Sequence, residues 1–156
     1  MSYRVFISHS MNKADREVLD ELASKAKSVG IDCYLAEVDN QAGESLPEKL
    51  HKAIKSCHAF VVFLTTHGVS SHYVNQEIGV AYECGKPVIP IVEKGVRAEG
   101  FLVDKECIPF DRSNPQRVAE PLMESLVALK SKSDFWETMA LAGLLIGAAY
   151  LLSKGK

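Results

Sequence analysis

Six consecutive residues, Ala59 to Leu64 (AFVVFL), are apolar without a polar interruption. A strand with one face in water alternates apolar and polar residues, because successive side chains point to opposite faces. A run without alternation fits a strand buried on both faces, which is the usual position of a central strand in a parallel sheet covered by helices. The rest of the chain has to supply those helices.

It does so in alternation as far as the fourth strand. Tyr3 to Ile7 is a short apolar strand, and Asn12 is placed to cap the helix that follows. Val18, Leu19, Leu22, Ala23, Ala26 and Val29 recur at helical spacing until Gly30 stops them. Ile31 to Ala36 is a second strand, and Glu37 to Glu44 a polar loop. Ser45 and Glu48 have the spacing of a capping box ahead of the stripe Leu46, Leu50, Ala53, Ile54 and Cys57. After the central strand, Ser70 or Ser71 caps a third helix that Gly85 ends. Val88 to Val92 is a fourth strand, Cys107 to Phe110 a fifth, and Asn114 to Leu129 a last amphipathic helix. Strand, helix, strand in this order implies right-handed crossovers. The predicted fold is α/β: a flavodoxin-like, three-layer α/β/α arrangement with a parallel five-stranded sheet in the order 2-1-3-4-5.

The chain has 156 residues, which suits one such domain, and a net charge of −2. That balance, with no basic run, gives nucleic acid nothing to hold. The four cysteines, Cys33, Cys57, Cys84 and Cys107, form no C-x-x-C and are read as reduced core thiols. Met1 to Ile7 has no signal-peptide shape, so the domain is expected in the cytosol.

The tail differs from everything before it. Thr138 to Ser153 carries no charge and is apolar all round. At about 1.5 Å per residue it measures roughly 24 Å, against a hydrocarbon core of about 30 Å. Phe135 and Trp136 on one side and Lys154 and Lys156 on the other suit the two interfaces. Gly143 and Gly147 form G-x-x-x-G, which allows close approach of two such helices. Residues 1–132 are therefore read as the domain and 133–156 as a C-terminal hydrophobic helix, with residues 135–153 anchoring it to a membrane. A packed C-terminal helix or an oligomer contact is the other reading of the same run.

Ligands of an open parallel sheet bind beyond the carboxyl ends of its strands. Those ends carry Ser8, His9 and Ser10, then Glu37, Asp39, Asn40 and Gly43, then Thr65, Thr66, His67 and Gly68. On the third helix, steps of about 100° place Tyr73, Val74, Ile78, Val80, Ala81 and Cys84 in one apolar arc. Glu77 falls near the middle of that arc. A carboxylate there has to be paired, protonated or open to a cleft. The sequence lacks G-x-G-x-x-G, a Walker lysine loop and a G-x-S-x-G elbow. His67 and His72 lack metal-ligand spacing, and His51 and His58 are read as surface residues.

These segments together resemble the Toll/interleukin-1 receptor (TIR) domain family, in its bacterial and archaeal form. VFISHS (Val5 to Ser10) resembles the family's opening box. GIDCYLAE (Gly30 to Glu37) with GESL (Gly43 to Leu46) resembles the second strand and the BB loop. AFVVFLT, SSHYVNQEIGVA and GKPVIPIV resemble the third strand, the αC segment and the fourth strand. The likeness runs from about Ser2 to Lys130.

Many members of that family cleave NAD+ at the nicotinamide–ribose bond, with a glutamate in a segment of the form S-x-W-C-x-x-E. Tyr73 stands at the Trp position, Val74 at the Cys position and Glu77 at the Glu position. The resemblance thus implies an NAD+ glycohydrolase or cyclase with Glu77 as the catalytic residue. Ser8, His9, Ser10, Glu37, Gly43, Ser45 and Tyr73 are the implied substrate-binding residues. NAD+ enters as substrate, and no separate cofactor or metal is called for. The resemblance also implies self-association, the BB loop of one copy meeting the αC region of the next, in microbial defence or signalling. The alternative it leaves open is a scaffold that works by TIR–TIR contact without turnover. A membrane-disrupting role for the tail is disfavoured, since one short helix brings little polarity to line a pore.

Overall fold

The computed structural model describes residues 2–36, 46–68 and 71–155. Among them, five parallel strands form one sheet: β1 (Tyr3–Ser8), β2 (Ile31–Leu35), β3 (Ala59–Leu64), β4 (Val88–Glu93) and β5 (Ile108–Phe110). Their order is β2-β1-β3-β4-β5. Helices α1 (Lys13–Ser28), α2 (Leu46–Ser56), α3 (His72–Glu83) and α4 (Ala119–Lys154) follow β1, β2, β3 and β5. This is the flavodoxin-like arrangement expected from the alternation.

β3 lies at the centre, with Val61 level with Ile7 on one side and Ile89 on the other. All six of its residues are buried. Its odd-numbered residues, Ala59, Val61 and Phe63, pack with Leu19, Leu22 and Ala26 of α1 and Leu122 and Leu126 of α4. Its even-numbered residues, Phe60, Val62 and Leu64, pack with Ile54 of α2 and with Val74, Ile78 and Ala81 of α3. Two cores on two faces are the reason the run cannot alternate.

Local signals place most of the ends. Asn12 Oδ1 accepts from the N–H groups of Ala14 and Asp15 at 2.9 and 3.4 Å, closing the start of α1. Of the two serines considered for α3, Ser71 is the cap and accepts from the Val74 N–H; Ser70 lies outside the described residues. Gly30 and Gly85 stop α1 and α3 with φ of +76° and +62°, a region that penalises any residue with a Cβ. The proposed Ser45–Glu48 capping box falls partly on Ser45, outside the described residues.

Three expectations need correcting. Cys107 is exposed, so it is no core thiol; of the four free cysteines only Cys57 is fully buried. His58 is half-buried, because its Nδ1 accepts from the Arg4 N–H at 3.0 Å and its ring stacks on Tyr3. The last helix does not begin at Asn114: Pro115–Val118 is a 3-10 turn, and α4 continues from Ala119 without a break through the apolar tail. Its 36 residues make a rod of about 54 Å. Only the first third packs on the sheet, through Ala119, Leu122 and Leu126.

Phe63 is fully buried and meets Phe110 edge-on, 4.8 Å between centroids. Replacing it with Ala is expected to lower the unfolding free energy by about 3–5 kcal/mol, read from the denaturant midpoint at unchanged slope.

Candidate functional site

The carboxyl edge of the sheet divides into two polar clusters, one on each face. The division follows from the pleat: Ile7 belongs to the α1 and α4 core, so Ser8 points to the α2 and α3 side. Leu64 belongs to the α2 and α3 core, so Thr65 points to the α1 side.

On the α1 side, Asp15 is fully buried. Its Oδ2 accepts from the hydroxyls of Ser10 (2.7 Å) and Thr65 (2.6 Å). Its Oδ1 accepts from an Arg112 NH2 group at 2.9 Å. The same guanidinium donates through Nε to Glu93 Oε1 at 2.6 Å, and Glu93 Oε2 accepts from the Thr66 N–H at 2.9 Å. Arg112, just past β5, therefore ties the end of β4 to the start of α1. Its guanidinium holds the Glu93 carboxyl below the usual carboxylate range, the Thr66 bonds adding to the effect against the opposing cost of burial.

On the α3 side stands Glu77, only 5% exposed. Helix α3 runs antiparallel to the strands and starts at their carboxyl edge, so its second turn brings Glu77 over the end of β1. Burial pushes its carboxyl up to about 7, and the neighbouring Ser8 hydroxyl offsets this in part. The two groups are close without a bond of normal geometry: Ser8 Oγ and Glu77 Oε2 are both buried and unpartnered among the described residues. His9 Nε2 is in the same condition. His9 Nδ1 is engaged with its neighbour, the Ser10 carbonyl, at 2.6 Å. Burial also keeps the His9 imidazole below its ordinary value. Buried polar atoms without a partner are uncommon in a folded domain, and Ser8 and Glu77 place two of them side by side at the end of β1.

The structure thus brings Ser8 to Glu77, with His9 next to it in the chain. Ser10 is turned to the other face and held by Asp15. Tyr73, placed in the apolar arc by its angle, is 51% exposed. It sits in the first turn of α3, beyond the sheet edge, where no strand lies beneath it. It lies one turn before Glu77 on the same helix. Glu37, Asp39, Asn40, Gly43 and Ser45 lie outside the described residues. Among the described residues no cluster of three or more His, Cys, Asp or Glu side chains is arranged to hold a metal.

Asp15, Glu93 and Arg112 were not singled out from the sequence. Asp15 had a signal: it falls in line with Leu19, Leu22 and Ala26 on the buried face of α1, as Glu77 does on α3. Arg112 had none, being 97 residues from Asp15.

Residues 5–126 match the family described as TIR domain, and the chain belongs to that family. A probable 2′ cyclic ADP-D-ribose synthase, BdTIR, of Brachypodium distachyon is 28% identical over 89 residues, 57% of this chain. The aligned stretch spans 40% of the length of that relative. The TIR domain of the Toll-related receptor TRR-2 of Hydra magnipapillata superposes with a TM-score of 0.63 at 19% identity, covering 80% of this chain and 98% of that one. The CMP N-glycosidase BcmB of Clostridium botulinum superposes at 0.58 with 18% identity, covering 76% and 97%. At these identities the two structures show a shared fold.

Asp15→Ala strands the Arg112, Ser10 and Thr65 donors and should cost roughly 3–5 kcal/mol, whereas Asp20→Ala, which breaks an exposed pair with Arg16, should cost under about 0.5 kcal/mol. For Glu77 the folded value of about 7 lies above the ordinary 4.5, so the folded state holds the proton more tightly. Its contribution to stability is undiminished below the ordinary value and falls as pH rises towards the folded one. Glu77→Gln is therefore expected to raise the melting temperature at about pH 8, by an amount equivalent to at most about 3 kcal/mol, and to leave it unchanged near pH 4.

Proposed function

We propose that this TIR domain cleaves the nicotinamide–ribose bond of NAD+, with Glu77 as the catalytic residue. The observation that supports this most is the pairing of a buried, unpartnered Glu77 carboxyl with the unpartnered Ser8 hydroxyl at the carboxyl edge of β1. The relative's name points the same way, since making a cyclic ADP-ribose from NAD+ requires loss of nicotinamide.

Nicotinamide is cationic in NAD+ and departs as a neutral base, so the bond breaks without a general acid. Positive charge develops on the ribose, as in other glycoside cleavages. An ionised Glu77 facing the ribose stabilises that charge and accepts hydrogen bonds from its hydroxyls, most effectively in a dry site. Ser8 Oγ orients the carboxylate or a ribose hydroxyl. Tyr73 offers an aromatic face one turn before Glu77. The family resemblance adds His9, Glu37, Gly43 and Ser45 to the substrate's surroundings, with Ser10 acting through its bond to Asp15. Water then captures the sugar to give ADP-ribose, or the adenine ring does so to give a cyclic product.

The same reading takes the protein to be an effector in microbial defence or signalling, assembled through contacts between the segment 37–45 and the α3 region of a second copy. It takes the exposed apolar part of α4 as a membrane anchor that concentrates copies on one surface. A scaffold without turnover is the second reading; burial of Glu77 alone would suit a structural acid equally well.

The decisive measurement is NAD+ consumption by concentrated full-length protein beside Glu77→Gln, with chromatography of the products. Wild type should consume NAD+ and the variant should lose at least about a hundredfold in rate. Because the reaction uses the carboxylate, activity should rise with pH and level off above about 7. Equal rates in the two proteins would refute a catalytic Glu77, and no turnover in either on vesicles or in solution would favour the scaffold.

A further inference from the structure

At the opposite edge of the sheet the chain builds a second site. A groove of about 390 Å³ lies where the strands begin, at the point where α4 leaves the domain. Tyr3, His58, Lys86, Lys132, Ser133 and Trp136 are among its walls. Leu129, Lys132, Ser133 and Trp136 fall on one stripe of α4, the continuation of the Leu122 and Leu126 stripe that packs on the sheet. Beyond Trp136 the helix carries Leu141, Leu144, Leu145, Ile146, Leu151 and Leu152 fully out of the domain, each more than half exposed.

The groove's chemistry is that of an anion site. Lys86 Nζ spends one N–H on the Lys55 carbonyl at 2.9 Å and keeps two. Lys132 is exposed. His58 Nδ1 accepts from the Arg4 N–H, which puts the ring proton on Nε2 and makes that atom a donor. Ser133 adds a hydroxyl. No carboxylate is among the lining residues. Of the acids nearby, Asp134 pairs with Lys130 at 3.9 Å and also adds to burial in pushing up the phenol of Tyr3 in the groove wall, and Glu137 lies about 100° around the helix from Trp136.

Depth decides the ligand. Trp136 begins an apolar helix that ends at Lys154, whose ammonium folds back over Tyr150 at 5.0 Å. From Trp136 to Lys154 is about 27 Å, close to the hydrocarbon thickness. Tryptophan at the end of such a span sits at headgroup level. Lys132 is one turn, about 6 Å, away from it on the domain side. We propose that this groove binds the phosphate of an anionic phospholipid headgroup, docking the domain on the bilayer with its carboxyl edge turned away. The proposal rests on the membrane-anchor reading of α4 and is independent of catalysis.

The test uses full-length protein floated with vesicles of neutral phosphatidylcholine, or of phosphatidylcholine with phosphatidylserine, beside the double variant Lys86→Glu, Lys132→Glu. Wild type should float with both and bind the anionic vesicles roughly ten- to thirtyfold more tightly. The double variant should keep neutral binding and lose that preference, while Lys94→Glu at the other edge keeps it. Trp136, the single tryptophan, should be quenched by lipids with brominated chains in all three proteins. An undiminished preference in the double variant would overturn the headgroup site and leave the anchor standing. Saturable binding of inorganic phosphate by wild type without vesicles, together with no anionic preference on flotation, would reassign the groove to a free anion. Failure of wild type to float with either vesicle would overturn anchor and groove together.

Discussion

Asp15 is the point on which the carboxyl edge depends. A carboxylate with no exposure is tolerated only when its lone pairs are filled and its charge is opposed. Here two hydroxyls and one guanidinium do both, and each comes from a different part of the chain: Ser10 after β1, Thr65 after β3, Arg112 after β5. Since Arg112 also holds Glu93, the ends of four neighbouring elements are fixed to one another. The backbone that presents Ser8 and His9 leaves the same strand as Ser10. A rigid Ser10 therefore fixes where Ser8 points, without any contact between the network and Glu77.

What the sequence made legible follows from how local each signal is. The unbroken run Ala59–Leu64 demanded cover on two faces, and the alternation of strands and helices then allowed little but a doubly wound sheet. Glu77 was legible because helix angle alone places it among Val74, Ile78 and Ala81. Asp15 was equally legible by that test. Tyr73 shows where the test stops: an angle says which way a side chain points, and the sheet has to extend beneath it before pointing inward means burial. Arg112 shows a second limit. An arginine after a short strand looks like a surface residue until the topology brings that strand's end beside the start of α1.

The two buried acids are handled in opposite ways. Asp15 is surrounded by donors and serves the fold. Glu77 has one hydroxyl nearby and an oxygen left without a partner, on a helix face otherwise made of Val74, Ile78 and Ala81. A sequence selected for stability alone would place an apolar residue or Gln there. Keeping a carboxyl that favours its protonated form up to about pH 7 weakens the folded state at neutral pH. Under the function proposed above, the groups that relax this conflict are those of the ligand.

A parallel sheet is polar, and that polarity gives the two edges different work. Strand ends and helix N-termini gather at one edge, where loose polar groups and the positive ends of helix dipoles favour an anionic or polar ligand. Strand starts and helix C-termini gather at the other, where basic residues complement the negative dipole ends: Lys25 and Lys27 close α1 and Lys55 closes α2. The collar of lysines there is first a consequence of topology. It becomes a surface for phosphate because α4, running antiparallel to β5, carries its apolar continuation out through that same edge. The sheet, five residue steps or about 17 Å from Tyr3 to Ser8, then separates whatever α4 enters from whatever Glu77 meets.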